Sequence, residues 1–87
     1  MASSSASLLL KNVKLLRQRH GLTQERVAEL SGLDYKFYQS IETGRRPNVT
    51  LSTLDQIAGV YGISGHKLIS PRLPRTVVPK ASKPVKH

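Results

Sequence analysis

Four polar residues that could contact nucleotide bases lie close together in one short segment, at Tyr35, Lys36, Gln39 and Ser40. Lysine donates to guanine acceptors, glutamine can pair bidentately with adenine, and an aromatic ring can contact the thymine methyl group. Their spacing is compatible with the exposed side of a helix near its beginning. We therefore predict that these residues contact base edges in a groove of duplex DNA. The simpler alternatives are a solvated helix face for Gln39 and a surface aromatic for Tyr35.

A second set of residues flanks this segment and is suited to binding phosphate: Gln24, Arg45, Arg46 and Asn48. Gln24 is expected to open a helix, where its amide and the free backbone N–H groups can bind one phosphate with the help of the helix dipole. The arginines and Asn48 follow the base-contacting segment in a loop, where they can contact the flanking DNA backbone. An ordinary first-turn residue and an exposed loop are the simpler alternatives.

The chain has no arrangement of residues that is typical of catalysis or metal binding. His20, His66 and His87 are far apart, carboxylates are few, and the serines cluster at the N-terminus rather than beside a base. There is no cysteine and no pair of histidines three or four residues apart, so we expect neither a disulfide nor a zinc site. We predict that the protein is not an enzyme and needs no cofactor.

The elements that must position these residues are all predicted to be helices. Apolar residues recur at spacings of three and four, and no stretch alternates with period two. The first helix is expected over about 7–20, and the third over about 35–43. Residues that can cap the later helices stand at the expected places: Thr23, Asp34, Thr50 and Ser64. The sequence therefore predicts an all-α domain.

The second and third helices are predicted to cross through a tight turn. Ala28 is small where the helices must approach, and Gly32 provides the backbone freedom that the turn needs. Leu33 and Ile41 can then anchor the third helix to the core. This pattern is that of a helix-turn-helix.

These residues carry a resemblance to a known family, since LTQERVAELSGL at 22–33, IETGRR at 41–46 and Leu54 occur together and in order. The chain resembles the Cro/CI-type (XRE) helix-turn-helix family over about residues 9–68. The resemblance implies a small five-helix, lambda-repressor-like domain that binds DNA as a homodimer on an inverted repeat and regulates transcription. It also places Arg17 against Glu42 as a structural ion pair, with a phosphate contact as the alternative role of Arg17.

Two features differ from the common form of that family. Tyr38 stands where the family usually has Ile or Val, so we expect either that its hydroxyl reaches the surface or a water, or that the pocket beneath it is wider. The loop after Gly44 is one residue longer, with Pro47 as the insertion.

Net charge and proline content divide the chain into a body and a tail. The formal net charge is +9, which favours a polyanionic partner. Residues 71–87 carry five of the fourteen basic residues, four of the five prolines and no acid. We expect a flexible N-terminus over 1–6, a DNA-binding domain over 7–70 and a disordered tail over 71–87.

The location and the partners follow from the same observations. The start of the chain lacks a basic stretch, and its longest apolar run, at 8–10, is too short for a signal peptide or a membrane span. We therefore expect a cytoplasmic protein with double-stranded DNA as its partner and no membrane contact. A dimer contact is expected around the last turn, at Ile63, Leu68 and Ile69.

Two other functions are compatible with the sequence. The same fold can serve as an antitoxin-like or coactivator-like module that holds a protein partner. Alternatively, the tail and the total charge can bind any nucleic acid without sequence preference, which predicts similar affinity for every duplex and a steep loss of affinity with salt.

Overall fold

Four α-helices and one 3-10 helix form the regular structure in a computed structural model, which describes residues 5–45 and 49–77. The α-helices are α1 (Ser5–Arg19), α2 (Gln24–Ser31), α3 (Tyr35–Glu42) and α4 (Leu51–Val60), and the 3-10 helix spans Gly65–Ile69. The described residues contain no strand, which confirms the all-helical prediction. The longest helix has 15 residues, and within the described ranges none is long and apolar enough to cross a membrane.

Side-chain caps determine where α2, α3 and α4 begin. Thr23 Oγ1 accepts the backbone N–H of Arg26 at 3.0 Å, and the Asp34 carboxylate accepts that of Phe37 at 3.2 Å. Thr50 caps α4 in the same way. Each cap satisfies an N–H group that the first turn leaves without a helical partner. The three predicted caps are confirmed.

The start of α1 differs from the prediction. The helix begins at Ser5 rather than at residue 7, so Ser5 and Ala6 are helical and do not belong to a flexible N-terminus. Residues 1–4 lie outside the described part of the chain.

Apolar side chains from every helix form one core. Full burial of a large side chain contributes about 1.5–3 kcal/mol, so this packing can stabilise the bundle in a chain that has no cysteine. The buried apolar residues are Leu9, Val13, Leu16, Val27, Ala28, Tyr38, Ile41, Leu54, Ile57, Ala58, Val60, Tyr61 and Leu68.

The last element is a 3-10 helix, so the described residues contain four α-helices rather than the expected five. Ser64 precedes it but makes no side-chain cap, contrary to the prediction. The carboxylate of Asp55, on α4, instead accepts the backbone N–H of Gly65 at 3.1 Å. The first turn of this element is therefore attached to α4.

A buried asparagine attaches the same element to α1. Asn12 is 4% exposed, and its Nδ2 donates to the backbone carbonyls of Leu68 and Ser70, both at 2.8 Å. Each bond satisfies a carbonyl at the end of the 3-10 helix. Asn12 is not among the residues predicted from the sequence, although a polar residue beside Leu9, Val13 and Leu16 on the apolar stripe of α1 indicates such a contact.

Residues 71–77 lie against the helical body, which corrects the expectation that all of 71–87 is disordered. Leu73 packs against the core. The backbone N–H of Val77 donates to the carbonyl of Tyr61 at 3.1 Å. Proline prevents a helix here but not packing, because an irregular chain can still bury an apolar side chain. The rest of the predicted tail lies outside the described residues.

The contact between Asp55 and Gly65 predicts a stability difference between two glycine variants. A Cβ at Gly65 would lie 2.9 Å from the backbone nitrogen of Asp55 and still closer to its carboxylate. Gly65→Ala should therefore lower the free energy of unfolding by about 1–3 kcal/mol, since α4 and the 3-10 helix must separate. Urea unfolding followed by circular dichroism measures this difference.

Gly59→Ala is the matched control, because a Cβ at that α4 position meets nothing within 4 Å. Alanine favours a helix over glycine by about 1 kcal/mol, so this variant should be as stable as the parent or more stable. Equal stability of Gly65→Ala and the parent would show that the close approach is absent.

Candidate nucleic-acid interface

A short turn joins α2 to α3 and leaves the beginning of α3 at the surface. Gly32 ends α2 with a φ of 76°, a left-handed conformation that glycine adopts without strain. The backbone N–H of Leu33 donates to the carbonyl of Ala28 at 2.9 Å. Ala28 is 2% exposed and belongs to the core, as does Ile41. The two helices therefore form the predicted helix-turn-helix.

The four predicted base-contacting residues share one surface of α3. Tyr35 and Lys36 are exposed, whereas Gln39 and Ser40 are half-buried. Ser40 Oγ donates to the carbonyl of Phe37, in the same helix, at 2.6 Å, so its proton is used within the protein. A shallow groove in this surface is lined by Lys36, Gln39, Ser40, Thr43 and Arg45. Contact with DNA stays a prediction for all four residues.

The phosphate-binding candidates lie beside the same surface where the structure describes them. Gln24 is the first residue of α2, and its Oε1 lies 3.3 Å from Nε2 of Gln39. Arg45 is exposed and lines the groove described above. Arg46 and Asn48 lie outside the described residues. The described candidates therefore extend the surface from α3 to the start of α2 and to the residues after α3.

The carboxylate of Glu42, at the end of α3, receives hydrogen bonds from three helices. Arg17 of α1 approaches it with two nitrogens, Nε at 2.6 Å from Oε2 and Nη2 at 3.1 Å from Oε1. Gln24 Nε2 donates to Oε1 at 3.0 Å, and the hydroxyl of Tyr38 donates to Oε2 at 2.5 Å. The structure thus brings together Arg17 and Glu42 and adds two donors that the sequence analysis missed.

The remaining contact of Arg17 favours a structural role. Its Nη1 donates to the carbonyl of Leu22 at 3.0 Å, and its side chain is 15% exposed. Three of its five N–H groups therefore have acceptors within the protein. The alternative role of Arg17 is therefore not favoured by its surroundings.

Tyr38 differs from the expectation for its hydroxyl. The residue is 0% exposed, so its hydroxyl does not reach the surface and instead donates to Glu42. The two residues are four apart on one helix, which places their side chains on the same face. This spacing is the signal that would have revealed the pair from the sequence.

These contacts set the ionisation of the buried groups. Burial alone would raise the pKa of Glu42, but hydrogen bonds from Arg17, Tyr38 and Gln24 outweigh it and lower the pKa below the ordinary value of 4.5. Burial and the bond to Glu42 raise the pKa of Tyr38. Glu42 is therefore an anion at neutral pH and can only accept hydrogen bonds.

The histidine after α1 has structural partners. The His20 ring stacks on Tyr61 with 5.3 Å between the ring centroids, and its Nε2 lies 2.8 Å from Thr76 Oγ1. In the part of the chain that the structure describes, no cluster of histidine, aspartate and glutamate could hold a metal ion.

The geometry defines a class of protein, namely a small all-helical domain with a helix-turn-helix whose second helix presents polar residues. A comparison with family models supports this class, because the model described as Helix-turn-helix matches residues 13–68. The chain belongs to this family, the XRE-type helix-turn-helix proteins, which are DNA-binding regulators of transcription.

Several curated proteins are similar to most of this chain. An uncharacterized HTH-type transcriptional regulator, y4dJ, of Sinorhizobium fredii is 41% identical over 64 residues, which cover 74% of this chain and 82% of the relative. The control protein C.SmaI of Serratia marcescens is 41% identical, with 72% and 74% covered. A Neisseria meningitidis protein called a hypothetical transcription factor is 31% identical, and the match covers 75% of this chain and 60% of that protein. No solved structure matches the chain significantly.

The buried carboxylate predicts how stability responds to its neutralisation. Glu42→Gln removes the charge and leaves the Arg17 guanidinium without its partner, so we expect a loss of about 3 kcal/mol in the free energy of unfolding at pH 7. Glu29→Gln is the control, because the Arg26–Glu29 pair is exposed, with Glu29 68% accessible, and should contribute less than about 0.5 kcal/mol.

The dependence of stability on pH distinguishes the effect of the Glu42 charge from the effect of its side-chain shape. The pKa of Glu42 is lower in the folded than in the unfolded chain. Its contribution to the free energy of unfolding is therefore complete above about pH 4.5 and is lost as the pH falls through the pKa of the folded chain. Urea unfolding between pH 7 and pH 3 should show this loss in the parent and a smaller one in Glu42→Gln. Identical profiles would contradict the role assigned to the carboxylate.

Proposed function

We propose that the protein is a sequence-specific transcription regulator that inserts α3 into the major groove. The observation that carries this proposal is the single surface formed by Tyr35, Lys36 and Gln39 of α3 together with Gln24, the first residue of α2. In a helix-turn-helix, the second helix reads base edges while the first lies across the backbone. Lys36 is then the donor to guanine, and Tyr35 lies where it can meet a thymine methyl.

Phosphate contacts on both sides of α3 fit the same orientation. The first turn of α2, beside Gln24, has backbone N–H groups without acceptors inside the helix, and the positive end of the helix dipole favours an anion there. Arg45 follows α3 at the other end of the groove. We assign Arg46 and Asn48, which come next in the chain, to the same flanking backbone. These contacts position the domain but carry no sequence information.

We further propose that two copies bind an inverted repeat. One helix-turn-helix reads only a few base pairs, and two copies about 34 Å apart on one DNA face supply the specificity that one lacks. Of the three residues suggested for the dimer contact, Leu68 needs correction, because it is 0% exposed in the core. Ile63 and Ile69 are half-buried and keep part of their surface, so a dimer contact at these two residues stays a prediction.

Selection of bound duplexes from random DNA tests the orientation of α3. Lys36→Ala and Gln39→Ala should each lose base preference at a different position of the selected site and bind it about tenfold more weakly. Gln18→Ala is the matched control, because it removes the same amide as Gln39→Ala from an exposed position on α1. Unchanged preferences in both α3 variants would exclude α3 as the reading helix, and failure to select any duplex would favour a protein-binding module.

Salt dependence tests the phosphate contacts and the role of the tail. Arg45→Ala and Arg46→Ala should each weaken binding to all duplexes alike and reduce the slope of log affinity against log salt by about one unit. A chain truncated after Val77 keeps the packed segment and loses Lys80, Lys83 and Lys86. It should keep both its affinity and its preference for the selected site, whereas loss of binding to all duplexes alike would instead support non-specific binding through the tail.

A further inference from the structure

A row of hydrogen bonds runs from the buried carboxylate to the surface of α3. Glu42 Oε1 accepts from Gln24 Nε2 at 3.0 Å, and Gln24 Oε1 accepts from Gln39 Nε2 at 3.3 Å. Gln39 Nε2 also donates to the hydroxyl of Tyr35 at 3.3 Å. Four residues thus connect the interior of the protein with the surface proposed to face DNA.

The chemistry of Glu42 sets the direction of every bond in this row. An ionised carboxylate only accepts, so Gln24 must turn its NH₂ group inward and its carbonyl oxygen toward Gln39. Among the described residues, the NH₂ group of Gln39 supplies the donor for that oxygen. The opposite orientation of the Gln39 amide would place two carbonyl oxygens against each other. The orientation of both amides therefore follows from one charge.

This orientation leaves Gln39 with one side-chain atom available for a new hydrogen bond, the acceptor Oε1. Both of its N–H groups are directed at Gln24 and Tyr35, while its Oε1 receives no hydrogen bond from the described residues. Bidentate pairing with adenine needs one N–H group as well as the oxygen. In this arrangement the donor is already in use, which differs from the expectation drawn from the residue type alone.

We infer that Gln39 reads DNA as a hydrogen-bond acceptor only and recognises an exocyclic amino group, N6 of adenine or N4 of cytosine. The inference rests on the proposed function and adds the polarity of one contact to it. Gln24 and Tyr35 are positioning residues in this contact, because they hold the amide by its nitrogen. Guanine and thymine present only acceptors in the major groove, so the contact is to the adenine or the cytosine of the base pair.

Base analogues in the selected duplex test whether Gln39 accepts or donates the hydrogen bond. At the base pair whose preference disappears in Gln39→Ala, replacing its adenine by purine or its cytosine by 2-pyrimidinone, which lack the amino group, should weaken parent binding about tenfold. Gln39→Ala should show no further loss with these analogues. Where the base is adenine, 7-deazaadenine, which lacks the N7 acceptor, should bind like adenine.

The control for the analogue method is the position read by Lys36. A lysine that donates to guanine should lose affinity when 7-deazaguanine replaces that guanine, which shows that a lost N7 contact is detectable. Unchanged affinity with purine or 2-pyrimidinone, or an equal loss with 7-deazaadenine, would overturn the inference and leave the proposed function standing. Failure to select any duplex would instead contradict the proposed function.

The free protein gives a second readout that needs no DNA. Only the NH₂ group of an amide carries protons, so both Gln39 side-chain amide protons should give nuclear Overhauser effects, one to the Tyr35 ring and one to the Gln24 side chain. Gln18, exposed on α1, is the comparison and should show only its own neighbours. Absence of both effects at Gln39 would overturn the inference, whatever the DNA selection yields.

Discussion

Removing a carboxylate from water costs several kcal/mol unless donors surround it, and Glu42 meets this requirement only when three helices are in place. Arg17 comes from α1, Gln24 from α2 and Tyr38 from α3 itself. A displacement of any of these helices leaves a buried charge unsatisfied. The crossing of α2 and α3 is thus fixed by an electrostatic constraint as well as by the fit of apolar side chains around Ala28.

The same constraint acts on the surface proposed to bind DNA. Gln24 belongs both to the buried cluster and to that surface, because one end of its amide meets Glu42 and the other meets Gln39. Groups that are already oriented lose less conformational freedom on binding. The interior of the protein therefore contributes to recognition by limiting the arrangements that the surface can adopt.

Local signals in the sequence were sufficient for the helices and for the turn between α2 and α3. Thr23, Asp34 and Gly32 act through their own backbone neighbourhood, so their roles can be read without knowledge of the fold. The bonds from Arg17 and Gln24 to Glu42 depend on segments distant in sequence. The same holds for the contact of Asn12 with the 3-10 helix and for the packing of residues 71–77. Residue types alone indicated neither which way the Tyr38 hydroxyl points nor that Leu68 is buried.

The bond from Tyr38 to Glu42 has a consequence for protein engineering. A recognition helix is often treated as a cassette that can be moved from one scaffold to another by exchanging its exposed positions. Here, a transplant of α3 would carry a hydroxyl and a carboxylate that require the guanidinium of Arg17 on a different helix. The smallest transferable unit of this surface therefore includes part of α1 and the start of α2, and scaffolds that lack an equivalent arginine are poor recipients.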